Sequence, residues 1–109
     1  MASIDNVKTL LSAVTTGTSD SFDVGSCLQV AFETEWSAGT SAGVVVIEHS
    51  FVTDYAGAWS NLDSQTQSAS TLALGTFPGP LGFIRARVST TVVDGTVTVR
   101  ARRLYADLG

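Results

Sequence analysis

The chain has 109 residues, enough for one core and a single domain over residues 1–109. It is 44% hydrophobic and 15% charged with ten glycines, a composition that speaks against disorder and for a β domain with many turns. A net charge of −4 argues against nucleic acid as a partner, which calls for a basic footprint.

The charge is unevenly placed. Residues 1–66 hold one lysine and eight carboxylates, net −7, whereas residues 67–109 hold five arginines and two aspartates, net +3. Such a chain can satisfy itself internally or join head to tail with copies of itself.

In chain order, residues 1–6 are small and polar and are expected to form a mobile N-terminal arm. With Asp5 present and no apolar segment there, no signal peptide is expected. Residues 8–14 read as a first strand, although the spacing of Ile4, Val7, Leu11 and Val14 also permits a helical turn or two. Gly17-Thr18-Ser19-Asp20 breaks it, and residues 21–24 form a short strand. Residues 27–36 alternate, with Leu28, Val30, Phe32, Thr34 and Trp36 on one face and Gln29, Ala31, Glu33 and Glu35 on the other. The single cysteine, Cys27, excludes an intramolecular disulfide and a cysteine-cluster zinc site, and reads as a small buried hydrophobe.

Residues 38–41 are a turn, and residues 43–49 a strand. Its centre, Val44-Val45-Val46-Ile47, is apolar on both faces, as in a strand buried on both sides or lying in a subunit interface. This is the longest apolar run, far short of the ~20 residues of a membrane helix, so no membrane partner is expected. Residues 51–58 read as a loop carrying Phe51 and Tyr55, and residues 59–66 and 70–77 as strands. Pro78-Gly79-Pro80 is a hard break, because proline cannot donate to a ladder.

Residues 83–88 and 96–102 alternate apolar with charged or hydroxyl residues, and Asp94-Gly95 between them is a hairpin signal of type I′, with positive φ at both positions. A two-residue turn sets Val93 opposite Thr96, Ser89 opposite Arg100 and Arg87 opposite Arg102. Arg85, Arg87, Arg100 and Arg102 then share one face. Two such charges about 5 Å apart in water repel by only about 1 kcal/mol. The face is expected either to pair within the chain, with Glu33 or Glu35, or to dock an acidic neighbouring subunit through bidentate guanidinium contacts. In total the pattern predicts an all-β chain: an antiparallel β-sandwich or jelly roll of seven or eight strands with little or no helix.

No catalytic set emerges. His49 is the sole imidazole, and its neighbour Ser50 points to the opposite face of a strand, so no Ser-His-acid triad forms locally. Glu33 and Glu35 lie roughly 6.5–7 Å apart by strand rise, a separation glycosidases use, but they read as partners of the arginines. No zinc site or calcium loop is visible, so no metal and no cofactor is expected. Trp36 shares a face with Leu28, Val30 and Phe32 and reads as core, and Phe51 and Tyr55 in the loop are the candidate platform for a sugar.

The segment Gly79-Pro80-Leu81-Gly82-Phe83-Ile84-Arg85-Ala86-Arg87-Val88, followed by Gly95-Thr96-Val97-Thr98-Val99, resembles the closing hairpin of small virion proteins of tailed bacteriophages. Val44-Val45-Val46-Ile47-Glu48-His49-Ser50 with Trp59-Ser60-Asn61-Leu62, and Ser19-Asp20-Ser21-Phe22-Asp23-Val24, extend the likeness over residues 10–103. The chain departs from that group at Asp54-Tyr55-Ala56-Gly57-Ala58, where the group often has a polar Asn-Asp-Gly turn. The resemblance implies a β-sandwich, with Trp59 as a core residue, that decorates heads or builds tail and fibre parts. The expectation is therefore a non-enzymatic virion structural protein, first a capsid decoration (cement) protein, made in the bacterial host cytoplasm and carried on the virion. It would bind copies of itself, as a trimer, and another virion protein such as the major capsid protein. Arg85, Arg87, Arg100, Arg102, Val44, Val46, Phe51 and Tyr55 are the expected interface. The alternatives are a carbohydrate- or receptor-binding module of a tail or head appendage, and a small tail or neck subunit.

Overall fold

A computed structural model describes residues 3–4, 7–24, 29–52, 57, 59–67, 72–78 and 82–105. The described residues hold nine strands and no helix: β1 (Ser3–Ile4), β2 (Lys8–Val14), β3 (Phe22–Asp23), β4 (Gln29–Trp36), β5 (Ala42–Ser50), β6 (Ser60–Thr66), β7 (Leu72–Pro78), β8 (Phe83–Val93) and β9 (Val97–Tyr105). Seven of them have seven residues or more, which is the expected number; β1 and β3 are two-residue additions. All pairings are antiparallel. One sheet runs β1-β9-β4-β7 with β2 also on β9, and the other runs β3-β8-β5-β6.

Alternation decides which face each strand buries. Val30, Phe32, Thr34 and Trp36 of β4 and Val97, Val99 and Ala101 of β9 point inward from the first sheet. Val45 and Ile47 of β5 and Ile84, Ala86 and Val92 of β8 meet them from the second. Each buried Val, Ile or Phe contributes about 1.5–3 kcal/mol relative to exposure, so this cluster is what holds the two sheets face to face.

The ambiguity over residues 8–14 resolves to strand. Register shifts between Thr9 and Leu11 and between Leu11 and Val14 are β-bulges, and Ala13 sits in one of them at φ 50°. The bulges bring both Leu11 and Val14 to the core, three residues apart, so a helix-compatible spacing arises in a strand. Of the expected N-terminal arm, Ser3–Ile4 pairs with Leu104 and Tyr105, and residues 1, 2, 5 and 6 lie outside the described residues. So does Cys27.

The closing hairpin is corrected. β8 and β9 do not pair with each other: β8 pairs with β5 and β3, and β9 pairs with β4, β2 and β1. Asp94-Gly95 is a corner that carries the chain from one sheet to the other. Only Asp94 has positive φ, at 64°, so the turn is not type I′. Gly95 is required by packing, since a Cβ there would lie 2.1 Å from Thr40 Oγ1 and 2.5 Å from Ser37 Oγ. The connection from β4 to β5 also changes sheet, and the two corners are laced together. Ser37 N–H donates to the Thr96 carbonyl, Thr96 N–H to Ser37 Oγ, Ser41 N–H to the Val93 carbonyl and Ser41 Oγ to Asp94 Oδ2. Alternation specifies a buried face but not a neighbour. Two amphipathic strands satisfy it as well by facing across a core as by lying side by side.

Candidate functional site

Because β8 and β9 belong to different sheets, the four arginines do not share a face. Arg85 and Arg87 lie on the outer side of the second sheet, and Arg100 and Arg102 on the outer side of the first. Arg87 stands opposite Val46 in register and Arg102 opposite Ala31, so the expected Arg87–Arg102 opposition does not exist.

On the second sheet the two arginines close over one carboxylate. Glu48 follows the core residue Ile47 and so points outward, yet its side chain is only 7% exposed. Arg87 reaches it in a bidentate contact, Nε to Oε1 and Nη2 to Oε2, each 3.2 Å, and Arg85 Nε donates to Oε1 at 3.0 Å. Charge-assisted pairs of this geometry are the strong class of hydrogen bond. The Arg85 guanidinium also lies 4.3 Å from the centre of the Trp59 ring. Trp59 is buried, as the resemblance implied, but beneath Arg85 and outside the cluster between the sheets. Val46, expected at an interface, is already 5% exposed within its own chain, and Val44 is half-buried.

On the first sheet Arg100 bridges Glu33 at 2.9 Å and Glu35 at 3.0 Å. This is the internal pairing open to these carboxylates from sequence. The bonds to Glu35 first and Glu33 second hold the guanidinium above its ordinary pKa. Arg102 is exposed and makes no ion pair with a described residue. It rims an open depression of about 140 Å³ whose other walls include Val7, Ala31 and Phe32. The fifth arginine, Arg103, went unassigned in sequence. It donates to the Asp23 carbonyl at 3.0 Å and stacks 5.2 Å over Phe22, tying β9 to β3. Its odd position, in phase with Val97, Val99 and Ala101, is the signal for that inward role.

At the end of β5, Phe51 and Val52 form an apolar knob, 76% and 55% exposed. The His49 ring packs edge-on against Phe51 at 5.7 Å, and Val52 N–H donates to Ser50 Oγ. Gly82, at φ +83°, lets the chain pass beneath: a Cβ there would be 2.8 Å from the Ser50 carbonyl and 3.0 Å from Phe51 Cα. Tyr55 lies outside the described residues.

No protein-family model and no curated protein matches the sequence. Among solved structures, the chain is similar to the crystal structure of SPBc2 prophage-derived protein YomS, with a TM-score of 0.67 and 18% sequence identity over 95% of each chain. The two share a fold along nearly their whole lengths.

Proposed function

We propose that this chain is a non-enzymatic structural component of a phage virion, most specifically a capsid decoration protein that binds copies of itself and the shell beneath. The observation that carries the proposal is the near full-length likeness in fold to a prophage-derived protein. Residues 79–88 and 95–99, which resemble a stretch of small virion proteins of tailed bacteriophages, support a phage origin independently. The mechanism is adhesion through a rigid sandwich: Phe51 and Val52 bury apolar area against a neighbour, and the exposed Arg102 pairs with an acidic group there. A standard stable interface buries about 800 Å² per partner, more than two apolar side chains supply, so the neighbouring faces take part.

A second reading, a carbohydrate- or receptor-binding module, is favoured by the exposure of the Phe51 ring, which suits stacking on a sugar. Co-sedimentation separates the two. Purified protein mixed with phage heads stripped of it should pellet with them at a saturable ratio. A chain that binds glycans and stays in the supernatant with heads contradicts decoration.

A further inference from the structure

Among the described residues, the outer edge of β7 is the one least protected against another strand. β7 ends the first sheet, pairs with β4 through all seven residues without a register shift, and has no described strand on its other side. In an antiparallel ladder alternate residues turn their N–H and C=O groups away from the partner, so this edge presents a regular row of donors and acceptors. Natural sheets blunt such edges with charges, prolines, bulges or short strands; the other edges here do so along their length, and β7 only at its terminal Pro78. β6 carries Asp63. β2 carries Lys8, two bulges and the positive-φ Ala13. The β3 edge is a two-residue strand and one isolated bridge, with Asp20 and Asp23 beside it. β7 reads Leu72-Ala73-Leu74-Gly75-Thr76-Phe77-Pro78, with a proline at its last position and no charge. It sits within residues 64–84, the longest stretch of the sequence without a charged side chain.

We infer that the β7 edge is a self-association surface, on which β7 of a second copy adds antiparallel across a two-fold axis. Self-pairing suits this edge for two reasons. A two-fold axis sets the same uncharged strand against itself, so no like charges meet across the seam. It also continues the antiparallel pairing used throughout both sheets. The other edge strands of seven residues, β2 and β6, would bring Lys8 or Asp63 to the seam, and β1 and β3 are only two residues long. The symmetry is two-fold, unlike the trimer expected from the sequence. The inference rests on the self-association part of the reading above and does not need the shell.

The test is sedimentation of the full chain from micromolar to near-millimolar concentration, beside the variants Ala73→Pro and Leu74→Pro. Adjacent residues point their N–H groups to opposite sides, so one of these prolines removes a donor only from the free edge. The wild type should dimerise reversibly with concentration. The variant that keeps the wild-type circular dichroism should self-associate at least about tenfold more weakly. Amide exchange on the wild type supplies a second readout that needs no variant: β7 amides should exchange more slowly at high concentration than at low. A wild type that stays monomeric overturns the inference, even if it still binds phage heads, in which case the virion reading survives alone. Dimerisation undiminished in the folded proline variant, or β7 amide exchange unchanged with concentration, also overturns it.

Discussion

At the scale of single residues, three positions make the energetics of the fold measurable. Thr34 lies on the core face of β4, fully buried, and its hydroxyl has no hydrogen-bond partner among the described residues. An unsatisfied buried hydroxyl costs about 1–3 kcal/mol. Thr34→Val keeps the shape and removes the cost, so it should raise stability by about 1 kcal/mol, seen as an upward shift in Tm. Gly75 faces Phe32 in register, and a Cβ there would lie 2.2 Å from the Phe32 ring. Gly75→Ala should therefore destabilise by about 1–3 kcal/mol. Adding Phe32→Leu should recover part of that loss in chemical denaturation, because the obstructing ring is then gone. Arg100 follows from its raised pKa. A group whose pKa is raised in the folded state contributes fully below its ordinary value and loses that contribution as pH rises past the folded one. Its carboxylate pairing is thus intact, on the guanidinium side, at every pH up to strong alkali.

At the scale of elements, β8 and β9 show what a sequence pattern encodes. The two strands, their inward set and the outward arginines were legible, because period-two alternation reports which face is buried, but β8 runs on to Val93 and β9 to Tyr105, beyond the alternating stretches 83–88 and 96–102. The partner of each strand was not. Asp94-Gly95 is as compatible with a corner as with a hairpin, and the contacts that decide it come from Ser37, Thr40 and Ser41, more than fifty residues earlier in the chain. The candidate site inherited that error: one basic face became two, in which Arg85, Arg87 and Arg100 pair with carboxylates of their own chain and Arg102 pairs with none among the described residues. Glu33 and Glu35 were readable as partners because they lie outward on β4. Glu48 was not, because nothing local shows that Arg85 and Arg87 lie beside it. The two faces therefore respond differently to charge reversal. Arg87→Glu sets a carboxylate against the buried Glu48 and should destabilise the chain by about 3 kcal/mol. Arg102→Glu should change stability by less than about 0.5 kcal/mol, so any loss of assembly it causes reports on contact between molecules. Equal thermal stability of the two variants would contradict this assignment.

At the scale of the whole molecule, the acidic and basic portions of the sequence are folded onto one another. The carboxylates of β4 and β5 lie beside the arginines of β9 and β8 in the same sheets. The charge dipole of the sequence is thereby largely consumed inside the fold, and electrostatics leaves Arg102 rather than a broad basic face for a partner. What the sandwich offers beyond itself is the Phe51–Val52 knob, the Arg102 rim and the β7 edge, three features on different parts of the sandwich. A body with several small, distinct contact features suits repeated assembly, in which many weak contacts act together. The measurement that tests the proposed virion role most directly is an image reconstruction of the phage particles produced by cells that carry this gene, compared with particles produced after the gene is deleted. The account predicts density of this sandwich's size at a fixed, repeated site on the wild-type particle, absent from the deletion. Identical particles, with the chain recovered only from the host-cell extract, would contradict it.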